Sequence, residues 1–394
     1  MKPRTGLIGI LQPIWQKWLL GATVLLAGSF AILSVTSCTQ GATTTPAASP
    51  TKPAAASAQP SVATAPAATP SAKEKASPAP ETKLANQVTI NVGYVPLISA
   101  GPLFVAVGKG YFDQQNIKVN MVKFASGAEM IPALSKGDLD AAYGGISPGL
   151  FNSYARDVKT IIVADGGTIK PGYGVNILMV RKDLADSGAI KSIKDLKGRK
   201  VSGATLGSPL DYFLRNALGA NGMSLKDLDL VRLSSADVKV GFQNKGIDAA
   251  VATEPFPTNA EALGLAKKWM MADQFVSGNQ FAAILYSESM TKKKDVANAF
   301  MVAYLKGARD YIKGVKSDEA VLNILNKWTT VPVQEIKASI PAFIDPNGSI
   351  NIADIQKQQA FWAHEGVVKE SVDLKPFVDT SYIENAVKVL GEAQ

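Results

Sequence analysis

The pattern of hydrophobic and polar residues divides the chain into three stretches. Residues 18–33 are nearly all apolar or small, residues 39–87 show no apolar period, and short apolar segments recur regularly from Val88 onwards. Short apolar or alternating segments predict strands, whereas apolar residues spaced three or four apart predict helices. Because both patterns appear only in the third stretch, we predict that regular structure begins at residue 88.

Strands and helices are predicted to alternate in this third stretch. The predicted strands are residues 88–95, 117–124, 141–143, 160–164, 176–181, 200–203, 228–233, 249–252 and 281–286. Helices are predicted between them, and five more between residues 292 and 390. This order predicts an α/β fold with parallel sheets covered by helices.

The order of the predicted elements indicates two lobes. We expect lobe 1 to comprise residues 88–175 and 281–394, and lobe 2 to comprise residues 176–280, so that the chain crosses between them twice. Residues 134–142 and 242–250 repeat one pattern, in which a helix ends at a glycine and an Asp-Ala-Ala strand follows. The glycine is expected to close the helix in a left-handed conformation. The repeat predicts pseudo-symmetric lobes.

The net charge of +8 would favour an acidic partner if it were spread over the folded part. However, residues 1–37 carry +3 and residues 38–87 carry +2, which leaves +3 for the remaining 307 residues. These residues show no basic stripe with interleaved aromatic side chains, so nucleic acid is not expected as a partner.

The N-terminus has the pattern of an export signal. A basic start without acids precedes an apolar segment that is short for a permanent membrane span. The segment ends in Val35-Thr36-Ser37-Cys38, which resembles a bacterial lipobox. This resemblance implies that residues 1–37 are removed and that acylated Cys38 anchors the protein in the bilayer of the cell envelope, on the periplasmic side. The alternative is an unmodified thiol after an ordinary signal.

Residues 38–87 are rich in Ala, Pro, Thr and Ser. Such a segment buries too little apolar surface to offset its conformational entropy. We therefore predict a disordered tether between the lipid anchor and the folded part. Since Cys38 is the only cysteine, a disulfide within the chain is excluded.

Four stretches within residues 88–390 together resemble one family. They are residues 91–96 leading into 102–112 (PLFVAVGKGYF), 137–145 (GDLDAAYGG), 203–214 (GATLGSPLDYFL) and 246–256 (GIDAAVATEPF). The chain resembles substrate-binding lipoproteins of ABC transporters from the nitrate, sulfonate, taurine and thiamine-precursor group. The resemblance implies the type II periplasmic-binding fold, with a ligand cleft between two lobes and a two-crossing hinge. It also implies a monomer that delivers a small solute to an ABC permease, without a cofactor or metal.

Ligands of open α/β sheets lie beyond the carboxyl ends of the strands. Glycines in these loops let backbone N–H groups approach a ligand, and helix N-termini favour anions. For each glycine, ordinary turn geometry remains the alternative. The candidate ligand-binding residues are Pro96, Ser99, Gly144, Gly145, Ser147, Gly167, Ser208, Asp211, Tyr212, Glu254 and Phe256.

Two acidic residues among these candidates determine which charge we expect the solute to carry. A carboxylate of Asp211 or Glu254 facing the cleft would repel sulfonate or nitrate in a dry site. We therefore expect a small polar, nitrogenous solute that is neutral or cationic. Two alternatives stay open: Asp211 is only a favourable charge at a helix N-terminus, and the solute is an anion such as sulfonate, taurine, nitrate or bicarbonate. A sensory module that reports to a membrane receptor is a further alternative.

An enzyme is not expected. The only histidine, His364, lies in a predicted helix, and no Gly-x-Ser-x-Gly or zincin motif accompanies it. Some relatives of this fold make thiamine precursors with a histidine and a cysteine-rich segment. The predicted folded part contains no cysteine, so this activity is the least expected.

Overall fold

The computed structural model describes residues 83–393. The predicted signal peptide, the predicted lipidation site Cys38 and the predicted tether up to residue 82 lie outside the described residues. Leu84, which the sequence pattern assigns to the tether, already contacts the folded part. Its backbone N–H donates to Gln115 O at 3.3 Å, and its carbonyl oxygen accepts a hydrogen bond from the Asn116 side chain. Packing against the fold therefore starts slightly before residue 88.

The described residues form ten strands in two five-stranded sheets. The strands are β1 (Val88–Tyr94), β2 (Ile117–Lys123), β3 (Ala141–Gly145), β4 (Thr160–Thr168), β5 (Asn176–Arg181), β6 (Lys200–Ser202), β7 (Asp229–Val231), β8 (Ala249–Thr253), β9 (Ala266–Met271) and β10 (Gln280–Ser287). Sheet A, in lobe 1, has the order β2-β1-β3-β10-β4, and sheet B, in lobe 2, has the order β7-β6-β8-β5-β9. The two orders correspond strand for strand, which confirms the predicted pseudo-symmetry.

Each sheet is mixed rather than wholly parallel. β10 pairs antiparallel with β3 and β4, and β5 pairs antiparallel with β8 and β9, whereas β1, β2 and β3 run parallel, as do β6, β7 and β8. The prediction of parallel sheets is therefore wrong for these two strands. Both strands follow a crossing between the lobes, so they enter their sheets where the parallel strands end. Ala282 accordingly pairs with Gly145, and Asn176 pairs with Thr253.

Helices cover both sheets. They are α1 (Gly101–Gly108), α2 (Tyr111–Gln114), α3 (Gly127–Lys136), α4 (Pro148–Tyr154), α5 (Lys182–Asp186), α6 (Pro209–Gly219), α7 (Val238–Gln243), α8 (Phe256–Ala262), α9 (Asp273–Val276), α10 (Glu288–Lys292), α11 (Lys294–Gly314), α12 (Glu319–Thr329), α13 (Val333–Ala338), α14 (Ile352–His364) and α15 (Ser381–Leu390). The long helix α11 packs closely on α1, and glycine at position 307 makes this possible, since a Cβ there would lie 2.3 Å from Pro102 O. Among residues 83–393, no helix is both long enough and apolar enough to cross a bilayer.

The repeated Asp-Ala-Ala segments have the same structural role in both lobes. Asp140 Oδ2 accepts a hydrogen bond from Asn91 N of β1 at 2.9 Å, and Asp248 Oδ2 accepts one from Lys200 N of β6 at 3.1 Å. Each carboxylate thus joins its own strand to the neighbouring parallel strand. The helix ends differ from the prediction. Gly137 is left-handed (φ 78°), but in lobe 2 the left-handed residue is Lys245 (φ 52°) rather than Gly246.

The two crossings are hydrogen-bonded to each other. Ile169 N donates to Asn279 O at 2.8 Å, and Gly278 N donates to Ile169 O at 2.8 Å. The two segments that join the lobes therefore lie side by side.

Candidate functional site

A cavity of about 480 Å³ lies between the two lobes, at the carboxyl ends of the parallel strands. Lobe 1 contributes the segments that follow β1, β2 and β3, and lobe 2 contributes those that follow β6, β7 and β8. This is the position expected for a ligand site in an open α/β fold.

Two helices of opposite lobes begin at the cavity with the same dipeptide. Ser147 precedes Pro148 at the start of α4, and Ser208 precedes Pro209 at the start of α6. Each serine Oγ accepts a hydrogen bond from the backbone N–H three residues later, and proline suits the first helical position. The N-termini of α4 and α6 lie close together: a Cβ on Gly207 would be only 2.9 Å from Pro148 Cγ.

A third helix start, that of α3, completes the lobe 1 side. Gly127 begins this ten-residue helix and lines the cavity. A Cβ on Gly127 would lie 2.7 Å from Gly145 N, so only glycine allows this approach of α3 to the end of β3. In the first turn of α3, Glu129 accepts hydrogen bonds from Ser126 Oγ and Ala125 N, and its own side chain is not part of the lining.

Lys123, the last residue of β2, is the one charged residue among the described residues that line the cavity. Its side chain is exposed, and within residues 83–393 it forms no ion pair. No carboxylate belongs to the described lining. The polar lining residues are Ser99, Ser126, Ser147, Asn176, Thr205, Ser208, Ser234, Ser235 and Thr253. The lining is therefore rich in hydrogen-bond donors and carries positive charge only.

The rest of the lining is largely apolar. Rings of Phe124, Tyr143, Phe256 and Phe281 contribute, together with aliphatic side chains such as Leu97, Leu206, Leu210 and Leu233. Burial raises the pKa of Tyr143 far above its usual range, and the nearby Ser99 hydroxyl only partly offsets this rise. Both hydroxyl oxygens lie beneath the surface and lack a partner at hydrogen-bonding geometry among the described residues.

Six of the predicted ligand-binding residues line the cavity: Pro96, Ser99, Gly145, Ser147, Ser208 and Phe256. Five do not: Gly144, Gly167, Asp211, Tyr212 and Glu254. Successive strand residues point to opposite faces, so a Cβ on Gly144 would meet Leu285 Cδ1 at 2.9 Å instead of the cavity. A Cβ on Gly167 would lie 2.3 Å from the Phe281 ring, so this glycine makes room for a lining residue.

The two acids are buried and paired. Asp211 Oδ2 accepts hydrogen bonds from Gly207 N at 2.9 Å and Arg215 Nε at 3.2 Å. Glu254 Oε1 accepts from Lys268 Nζ at 2.9 Å. Neither carboxylate faces the cavity, so the expectation that they meet a cationic solute is not met. Tyr212 instead packs its ring against Phe361 and Trp362 of α14.

Several lining residues were missed by the sequence reasoning. Lys123 ends β2 and the start of α3 follows it, so the same strand-end argument applies to both, but no glycine or motif singled them out. Ser234 and Ser235 follow the short strand β7 in the same way. Asn176 and Phe281 lie where the crossings enter the sheets, and only the tertiary structure brings them to the cavity.

A donor-rich cavity enclosed between two lobes that are joined by two crossings defines a two-lobed solute-binding protein. Comparison with known proteins agrees. Residues 83–325 match the NMT1-like family model. A putative binding protein of Brucella abortus is 26% identical over 235 residues, 59% of this chain and 69% of that protein.

Two further comparisons extend over more of the chain. A putative aliphatic sulfonates-binding protein of Bacillus subtilis is 26% identical over 309 residues, 74% of this chain and 86% of that protein. The structure of the periplasmic nitrate-binding protein NrtA from Synechocystis PCC 6803 superimposes with a TM-score of 0.64 at 18% identity, over 77% of this chain and 89% of that chain.

The family model matches more than half of this chain, so the chain belongs to the NMT1-like family. It has the periplasmic-binding-protein fold, as the superposition on the nitrate-binding protein shows. The fold class and the family resemblance predicted from the sequence are thereby confirmed. The Brucella, Bacillus and Synechocystis proteins are named as binding proteins, in agreement with the prediction that the chain is not an enzyme.

Proposed function

We propose that this chain is the solute-binding component of an ABC importer for a small organic anion, which it captures between its lobes and delivers to a membrane permease. The observation that carries the proposal is the charge of the described cavity lining, which contains Lys123 and no carboxylate. An anion gains Coulomb energy from this lysine in a site of reduced dielectric constant.

Helix starts add to this preference. The N-termini of α3 and α6 both meet the cavity. The first backbone N–H groups of a helix lack partners inside the helix and carry partial positive charge, so they favour a negative group. The hydroxyl groups of Ser147 and Ser208 accept backbone hydrogen bonds and can still donate to the oxygens of such a group.

The apolar lining favours an organic rather than an inorganic anion. A nitrate ion would leave the rings and leucines of the cavity without contact, whereas an alkyl chain would bury apolar surface against them. The Bacillus subtilis relative named for aliphatic sulfonates supports this class of solute. The cationic solute expected from the sequence has no such support, because Arg215 and Lys268 already neutralise the two acids.

The remaining sequence predictions belong to the same proposal. We propose export directed by residues 1–37, a lipid anchor at Cys38 on the periplasmic side of a membrane, and a tether over most of 38–87. We also propose that residues 88–175 and 281–394 form lobe 1 and that residues 176–280 form lobe 2. The protein is proposed to be a monomer. A sensory role would use the same binding step, and a missing permease partner would favour it.

Calorimetry of the full chain with linear alkane-1-sulfonates and alkylammonium ions of two to six carbons tests the solute class. We expect the sulfonates to bind and the ammonium ions not to bind. Lys123→Ala should weaken sulfonate binding by roughly five- to ten-fold, the effect of one charge-assisted contact in a partly hydrated site. Lys118→Ala, an exposed lysine of the same strand outside the cavity, is the matched control. Tighter binding of the ammonium ions would refute the proposal.

A further inference from the structure

The lobes contact each other beside the cavity, where α6 of lobe 2 packs on the end of α14 of lobe 1. The Tyr212 ring lies edge-on to Phe361, with centroids 4.9 Å apart. The Arg215 guanidinium lies 5.5 Å from the Trp362 ring centroid and donates a hydrogen bond to Glu365 Oε2. This α6–α14 contact is thus both aromatic and ionic.

Arg215 also forms a hydrogen bond to Asp211, which in turn bonds a residue of the cavity wall. Arg215 Nε donates to Asp211 Oδ2 at 3.2 Å, and this oxygen also accepts from Gly207 N at 2.9 Å. Gly207 belongs to the segment 204–208, which lines the cavity. A continuous series of hydrogen bonds therefore runs from the cavity wall through Asp211 and Arg215 to Glu365 in the other lobe.

Asp211 has an unused acceptor. Its side chain is fully buried, and Oδ1 has no hydrogen-bond partner among the described residues. A buried carboxylate is costly unless its oxygens are satisfied. Arg215 has five N–H donors in a planar fork and can bond both oxygens of one carboxylate. In this structure Glu365 takes one of those donors instead.

We propose that Asp211 and Arg215 are positioning residues that couple the cavity segment 204–208 to closure of the lobes. In the closed arrangement Arg215 is shared between Asp211 and Glu365. When the lobes separate, Glu365 leaves with α14, and Arg215 turns to bond both oxygens of Asp211. The position of Gly207, and hence the cavity wall, then depends on whether the lobes are closed. The inference rests on the proposed function only in that the lobes close on a solute, and it does not require an anion.

The coupling predicts a change in the open-to-closed ratio without solute. Spin labels at Lys136→Cys in lobe 1 and Lys239→Cys in lobe 2 of the full chain carrying Cys38→Ser report the separation of the lobes by pulsed electron spin resonance. No other cysteine interferes, because Cys38 is the only one in the chain. Glu365→Ala should raise the open-to-closed ratio by about five- to ten-fold, as expected for loss of one partly buried ion pair across an interface.

Lobe 2 offers a matched control. Arg181 is shared between Asp183 and Asp248 in the same manner and at similar exposure, 13% against 16% for Arg215, but all three residues lie within lobe 2. Asp183→Ala should leave the separation unchanged, and Glu365→Gln, which keeps an acceptor for Arg215, should restore part of the closed population.

The affinity for hexane-1-sulfonate provides a second readout, which should fall in Glu365→Ala by the same factor as the closed population. An unchanged distance distribution in Glu365→Ala, or an equal shift in Asp183→Ala, would overturn the coupling. If the distribution shifts as expected but no sulfonate binds, the coupling stands and only the proposed anionic solute fails.

Discussion

The buried carboxyl group of Asp165 predicts that the protein loses stability as the pH rises from about 4 to about 7. Asp165 lies in β4 and is fully buried. Burial raises the pKa of Asp165 to about 7, although hydrogen bonds from Asp345 N, Gly167 N and Thr168 Oγ1 oppose the rise. The nearby carboxylate of Asp345 adds to the rise.

The direction follows from the number of bound protons. Between pH 4 and pH 7 the folded protein keeps the Asp165 proton, whereas the unfolded chain, with a pKa near 3.8, has released it. The resulting stabilisation is fully present below pH 4 and is lost as the pH rises through 7. Since one pKa unit corresponds to about 1.4 kcal/mol, the whole loss is roughly 4 kcal/mol, of which about 3 kcal/mol falls between pH 5 and pH 8.

Asp165→Asn should remove this dependence. The amide oxygen can still accept from Gly167 N and Thr168 Oγ1, but the amide nitrogen would then face Asp345 N, and two facing donors cost about 1–3 kcal/mol. We therefore expect the variant to be less stable than the wild type at pH 5 and of equal or greater stability at pH 8.

Urea unfolding of both proteins at pH 5 and pH 8 measures the difference, and Asp113→Asn at an exposed position is the control. Equal changes in the free energy of unfolding for wild type and Asp165→Asn would refute the reasoning.

Two further predictions concern the cavity and the anchor. Gly127→Ala should lower the free energy of unfolding in urea by about 1–3 kcal/mol and weaken solute binding, because the added Cβ would meet Gly145 N at 2.7 Å. The control Gly219→Ala, where a Cβ meets nothing within 4 Å, should not lower the free energy of unfolding. Equal losses of stability in the two variants would contradict the steric argument. Cys38→Ser should release the protein from the membrane fraction with its solute affinity intact, and retention in the membrane after signal cleavage would contradict lipid anchoring.

Local sequence was sufficient for most elements of the fold. The strand at 176–181 has the predicted bounds, and the other predicted strands overlap observed strands. Buried strands are short apolar runs, so their signal lies within a few residues. β9 was not predicted because Lys267 and Lys268 interrupt its apolar residues. It is the edge strand of sheet B, where Lys268 reaches back to Glu254.

The cavity was predicted less completely than the fold. Strand ends identified the loops around Pro96, Gly145, Ser147 and Ser208, because the carboxyl ends of parallel strands meet at one edge. The same argument could have included Lys123. The sequence did not indicate that Asp211 is already neutralised, although its partner Arg215 is four residues away, at the spacing of a helical ion pair.

Local apolar periodicity and short motifs are enough to predict the α/β class, the two similar halves and the edge of each sheet at which a ligand would bind. Which charges face the cavity depends instead on contacts between residues far apart in the chain. Arg215 contacts Glu365, 150 residues further along the chain, and Lys268 contacts Glu254 from an unpredicted strand. Pairing between distant segments buries the acids and leaves Lys123 at the cavity, and this changes the expected charge of the solute from positive to negative.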